Sequence, residues 1–183
     1  EFGSSGLFVF GLTDFHSVWE AMLRETLKRP PEDAGRNWTR ELPKPTYHLN
    51  DGSQPQARLQ GMIPDIIIEG RDRITIIDAK YYAATNAATA PSWPDVAKQQ
   101  FYEFGMRSVV EETLDIESIF VFPGQNSEGP LYSVAMHDLS GNKVASFPEI
   151  RCAYADVATV LKAYIQRSSD VTVGFPLLAS AIE

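Results

Sequence analysis

The chain carries a single cysteine, Cys152, among its 183 residues. That excludes an intrachain disulfide and a cysteine-rich zinc site, and it suits a reducing, cytoplasmic setting. No apolar run approaches the roughly 20 residues that cross a bilayer, and the opening residues lack the basic-then-apolar order of a signal peptide. Cations are in the minority: 16 lysines and arginines face 24 acids, for a formal net charge of −8. A protein that coats nucleic acid by bulk electrostatics is therefore excluded, because such affinity comes from lysines and arginines that neutralise phosphates. An enzyme that gathers carboxylates at a metal and sets its basic residues along one groove is not excluded. The three histidines, His16, His48 and His137, share no metal-ligand spacing. No Gly-x-x-x-x-Gly-Lys-Ser/Thr phosphate loop occurs, so these residues encode no nucleotide motor of that type.

What remains is the composition of an ordinary globular domain, 44% hydrophobic and 22% charged, and the length fits one core that folds without staples. Glu1-Phe2-Gly3-Ser4-Ser5-Gly6 reads as a cloning scar, which leaves a domain expected over residues 7–183, cut from a longer protein.

Phe15, Val18, Trp19, Met22, Leu23 and Leu27 recur at helical spacing after Thr13-Asp14, and predict an amphipathic helix over residues 13–29 that ends before Pro30-Pro31. Prolines, glycine, Asn and Asp make residues 30–56 mostly loop, with a short extended piece near Thr46–Leu49. Two isoleucine-rich runs, 62–69 and 74–82, flank the turn Gly70-Arg71-Asp72-Arg73 and predict a hairpin buried on both faces, with a further strand near Arg58–Gln60. Residues 83–92 read as a flexible surface loop. A second helix follows over about 94–112, then strands near 118–122, 131–137 and 148–152, and a third helix over about 155–167. This order predicts an α/β fold, a mixed sheet flanked by helices.

The informative feature is a pair of acids embedded in apolar strands, Asp65 and Asp78, with Lys80 two positions beyond the second. Burying such charges costs several kcal/mol unless a partner or a cation offsets it. Aspartates on adjacent hairpin strands can face one place, and residues two apart in a strand share a face, so Asp78 and Lys80 point to the same site while Ala79 points away. Two carboxylates with water suit Mg²⁺, which prefers near-octahedral oxygen ligands and keeps room for substrate phosphate; Mn²⁺ can take its place. Phosphodiester cleavage follows naturally from such a site.

Pro64-Asp65 followed by Asp78-Ala79-Lys80 resembles the signature of the PD-(D/E)XK nucleases. Together with Phe15-His16-Ser17-Val18-Trp19-Glu20, Ile77–Tyr82 and Lys98-Gln99-Gln100, the pattern is most similar to restriction enzymes of the LlaJI and McrC kind, over about residues 13–105. The resemblance implies a restriction-endonuclease-like core of order α-β-β-β-α-β and a Mg²⁺-dependent endonuclease of a bacterial restriction (defence) system acting on double-stranded DNA. It implies a separate AAA+ GTPase or ATPase partner as well. Asp65 and Asp78 are then metal ligands, with the Ala79 carbonyl as a further ligand. Glu20 is an additional acid, Lys80 the catalytic lysine, and Gln100 a supporting residue. In related branches a glutamine is followed four residues later by a tyrosine, whereas Gln100 is followed at that distance by Phe104.

Each fragment has a blander reading. An isolated Pro-Asp is usually a turn, an isolated Asp-x-Lys a surface ion pair, and a glutamate on an amphipathic helix usually faces water. Arg24, Lys28, Arg29, Arg36, Arg40 and Lys44 fit a solvated surface almost as well as a phosphate track. The rival function is a docking or regulatory module that keeps the nuclease-like fold and binds a motor subunit, with little activity alone.

Overall fold

A computed structural model describes residues 15–27, 37–56, 61–125 and 129–167. The strand expected near Arg58–Gln60, half of the proposed phosphate track (Lys28, Arg29 and Arg36) and the proposed scar lie outside these residues.

The described elements are α1 (Phe15–Thr26), α2 (Trp38–Glu41), β1 (Ile66–Glu69), β2 (Arg73–Ala79), α3 (Trp93–Arg107), β3 (Asp115–Pro123), β4 (Ser133–Val134), β5 (Ile150–Ala155) and α4 (Val157–Gln166). They form one mixed sheet in the order β1-β2-β3-β5-β4. The central strands β2, β3 and β5 run parallel, while β1 and β4 flank them antiparallel. Parallel strands are buried on both faces by crossover helices, and β2 reads accordingly: every residue from Ile74 to Ala79 is buried.

Strand alternation divides the core. Ile77, Ala79, Ile119, Val121, Ala153 and Ala155 face one side, where Trp19, Met22 and Leu23 of α1 and Val160 of α4 cover them. Ile74, Ile76 and Ile116 face the other side, against Tyr102 and Met106 of α3. The same α3 face of the sheet continues as Phe120, Phe122, Cys152 and Tyr154, with Val96 packed on them. Asp78 belongs to this second face by its parity in β2.

The structure corrects several boundaries. β1 begins only at Ile66, since Pro64 has no N–H to give a ladder and Met62–Asp65 are not strand. β2 stops at Ala79, short of Tyr82, and α3 stops at Arg107, where Ser108, Val109 and Val110 tighten onto the last-turn carbonyls. The strand expected over 131–137 shrinks to the two-residue β4. Residues 83–92 are tied by their own polar groups: Asn86 Oδ1 accepts from the Ala88 N–H at 2.8 Å, and the Thr85 N–H bonds Thr89 Oγ1 at 2.8 Å. Ala84 is wholly buried, its carbonyl bonded by the Tyr154 hydroxyl at 2.7 Å. The short helix α2 was not legible in the proline-rich loop; it is anchored by Trp38 and Leu42 in the α3-side core. Among the described residues, no helix is long and apolar enough to cross a membrane.

Candidate active site

The site lies at the carboxyl end of β2. Ile66 pairs with Ile77 at the last step of the ladder, which brings Asp65, just before β1, to the carboxyl end of β2. The Asp65 side chain turns into the ladder: its Oδ2 accepts the Ala79 N–H at 2.8 Å. Burial and the neighbouring Asp78 charge, with a smaller push from Glu20, hold the Asp65 carboxyl above its usual range against the opposing Ala79 N–H. Asp78 and Glu20 thus both act on Asp65 by charge.

Asp78 has no exposed surface. Its charge is offset by two ammonium groups: Lys80 Nζ is 2.6 Å from Oδ2, and Lys98 Nζ is 2.5 Å from Oδ1. Lys80 is nearly as buried, and a second carboxylate, Asp95 Oδ1, accepts from its Nζ at 2.6 Å. Burial alone pulls the Lys80 pKa down, but Asp78 and Asp95 outweigh it and raise the pKa, so the lysine stays charged. Asp95 sits in the first turn of α3, its Oδ2 accepting from the Ser92 hydroxyl at 2.5 Å and from the Ser92 N–H at 3.2 Å. Burial raises its carboxyl, while Lys80 and Ser92 together hold it below the usual range. A helix N-terminus favours the same anion.

Glu20 lies on α1 beside the buried Trp19, and His16 Nε2 contacts its Oε1 at 2.7 Å. Arg24, one turn on, donates from Nε to the Asp65 carbonyl at 3.1 Å, so α1 is tied to the Asp65 turn. Among the described residues, no three His, Cys, Asp or Glu side chains gather closely enough to enclose an ion. Asp65 and Asp78 are hard oxygen donors of the kind Mg²⁺ takes alongside water and phosphate, and here both Asp78 oxygens are met by lysines.

Gln100 is not brought to the carboxylates. It is buried on α3, and its Nε2 reaches the Pro148 carbonyl at 3.5 Å, just before β5 begins and towards the opposite end of the parallel strands. Its neighbour Gln99, wholly buried, donates to the Ile76 carbonyl at 2.9 Å and so braces β2 two residues before Asp78. The α3 residues that do meet the site are Asp95 and Lys98, which sequence reasoning missed. Their spacing of three, with Tyr102 four further on, placed them on one helix face and was the available signal. Cys152 is buried among aromatic side chains, which pushes its thiol up to about 11 and leaves it inert.

A mixed α/β sheet flanked by helices, with an acid–acid–lysine group at the end of its first parallel strand, defines a restriction-endonuclease-like protein. The family model described as LlaJI restriction endonuclease matches residues 3–164, and the chain belongs to that family. The family is one of nucleases of restriction systems, whose substrate is DNA. No curated protein matches the chain.

Proposed function

We propose that the chain is a Mg²⁺-dependent endodeoxyribonuclease of the PD-(D/E)XK type that hydrolyses phosphodiester bonds in double-stranded DNA. The observation that carries this reading is the fully buried Asp78, with the charged Lys80 2.6 Å from its Oδ2 and the Asp65 carboxylate bonded to the N–H of the next residue, Ala79. A buried carboxylate retained at the open end of a sheet is costly for stability alone, and an apolar residue would serve packing better.

In this reading Asp65 and Asp78 hold Mg²⁺, with Mn²⁺ as a substitute and the Ala79 carbonyl as a further ligand. The ion, when bound, supplies Lewis-acid polarisation of the phosphate and a lowered pKa for water. The chain's own groups do the rest. Lys80, fixed between Asp78 and Asp95, presents its Nζ proton to the attacking water or to the charge that builds on the phosphate oxygens. Asp95 fixes where that ammonium sits. Glu20 adds negative field from α1. The same resemblance extends the proposal to a separate AAA+ GTPase or ATPase as partner.

The test is cleavage of supercoiled plasmid by the wild-type chain with Mg²⁺ or Mn²⁺, beside Lys80→Ala verified as folded. Nicking or linearisation by the wild type, absent in Lys80→Ala and in EDTA, is the expected result. A chain that neither cuts nor binds either metal fits the docking module instead.

A further inference from the structure

The two lysines that neutralise Asp78 are not equivalent. Lys80 is fixed by aspartates on two sides at 2.6 Å each, and its side chain is only 8% exposed. Lys98 has Asp78 Oδ1 as its acidic contact at 2.5 Å, while its side chain is 40% exposed. Its Nζ also lies 5.8 Å from the Tyr102 ring and near enough to Asp65 to act on it by charge, and that ring is fixed by a hydroxyl bond to the Ile63 carbonyl at 2.9 Å. One cation is built in; the other can leave along its own flexible stem without exposing the core.

We propose that Lys98 is a releasable counter-ion that occupies Asp78 Oδ1 in the metal-free chain and yields that oxygen when a divalent cation binds. This rests on the metal-site reading given above. An ammonium and a divalent cation cannot share one carboxylate oxygen at contact distance, because their repulsion grows steeply in a site shielded from water. Without a metal, Lys98 keeps Asp78 compensated, as a wholly buried carboxylate requires. With a metal, the Tyr102 face gives the displaced ammonium a favourable resting place short of full solvation. Lys98 is thus a positioning residue whose effect on metal affinity is negative: it stabilises the empty site and competes with the ion.

The experiment is calorimetric titration of the intact chain with MnCl₂, comparing wild type, Lys98→Gln, Lys98→Arg and Asp78→Asn, each with thermal melts before and after Mn²⁺. Lys98→Gln is expected to bind Mn²⁺ about three- to tenfold more tightly, the scale of a partly exposed ion pair. Its metal-free melting temperature falls, and its gain on adding Mn²⁺ exceeds that of wild type. Lys98→Arg keeps a competing cation and stays near wild type. A merely structural role for Lys98 predicts the opposite sign, weaker binding in Lys98→Gln. Equal or weaker binding by Lys98→Gln, with wild type binding normally, overturns the counter-ion role alone. If wild type binds no Mn²⁺, the metal-site reading falls and this inference falls with it. Lys98→Met, with a stem of similar length and no charge, replaces Lys98→Gln should the latter fail to fold.

Discussion

Asp65 Oδ2 accepts the Ala79 N–H at 2.8 Å, so a side chain takes over the ladder where β1 gives out at Pro64. The bond fixes the Asp65 carboxylate to the backbone that links Asp78 with Lys80, and any shift of one moves the other. Asp65→Asn keeps an acceptor for that N–H while removing the charge that Asp78 and Glu20 repel. The metal-free Asn variant is expected to melt higher than wild type and to lose cleavage. The sign follows from the raised Asp65 pKa: the folded state prefers protonated Asp65, so wild type loses stability as pH rises through that pKa. The advantage of Asp65→Asn is therefore present at neutral pH and disappears as pH falls and Asp65 takes up its proton. Melts across pH 3 to 8 check it, roughly the window around ordinary carboxyl values.

Lys80 and Asp78 are expected to be coupled in stability as well as in activity. Removing one partner of a buried pair leaves the other uncompensated, at a cost of about 3–5 kcal/mol. Lys98 still contacts Asp78, so Lys80→Met is expected toward the low end, about 3 kcal/mol. Asp78→Asn with Lys80→Met together should cost less than the sum of the single changes, a positive coupling in a double-mutant cycle read by urea denaturation. Cleavage should fall by at least about a hundredfold in each, the scale of losing one positioned electrostatic group. Additive stabilities would show that the two side chains do not sense each other.

The strand part of this site was legible because period-two alternation is a local signal. The isoleucine run Ile74–Ile77 that leads into Asp78 marks a buried strand, and Lys80, two positions on, shares its face, with its Nζ 2.6 Å from Asp78 Oδ2. The α/β class followed from element order in the same way. Asp95 and Lys98 were not legible because their roles depend on how α3 docks, which no local period encodes. The adjacent glutamines drew attention to Gln100, yet the two-residue step from Lys98 to Gln100 turns the side chain by about 200 degrees on a helix, and Gln100 consequently reaches Pro148 while Lys98 reaches Asp78. Pro64 ends the ladder early by a rule the sequence already contained.

Asp95 joins a helix cap to the lysine of the site, and its substitution should separate the two. Asp95→Asn keeps an oxygen for the Ser92 N–H but replaces the anion beside Lys80 with a neutral amide. Cleavage rate is expected to drop about tenfold, the energy of one charge-assisted hydrogen bond, with KM for DNA little changed because Asp95 acts through Lys80. Lys80 and Ser92 hold the Asp95 carboxyl below its ordinary range, so the stability it contributes is present above the usual carboxylate pKa and lost only as pH falls through the depressed folded value. Asp95→Asn and wild type should therefore differ in melting temperature across neutral pH and converge in strong acid. A drop in KM-dependent binding with unchanged turnover would place Asp95 on the DNA rather than behind Lys80.

Glu20 tests how the helix α1 takes part. Its Oε1 is engaged by His16 at 2.7 Å, and it acts on Asp65 by charge. A residue that influences the ion through the field or through a bridging water should weaken Mn²⁺ binding modestly when neutralised. Glu20→Gln is expected to reduce Mn²⁺ affinity by about tenfold, the low end of what outer partners cost, whereas Asp78→Asn should abolish it. The same substitution should lower the Asp65 pKa, because one of the charges raising it is gone; carboxyl titration by NMR reads that shift directly. Loss of Mn²⁺ binding in Glu20→Gln as complete as in Asp78→Asn would mean that α1 moves inward on metal binding and that Glu20 becomes a third direct ligand. In that case Trp19, wholly buried beneath it with its ring 5.8 Å from that of Tyr81, is the pivot to mutate next, since Trp19→Phe keeps the core filled while altering the contact.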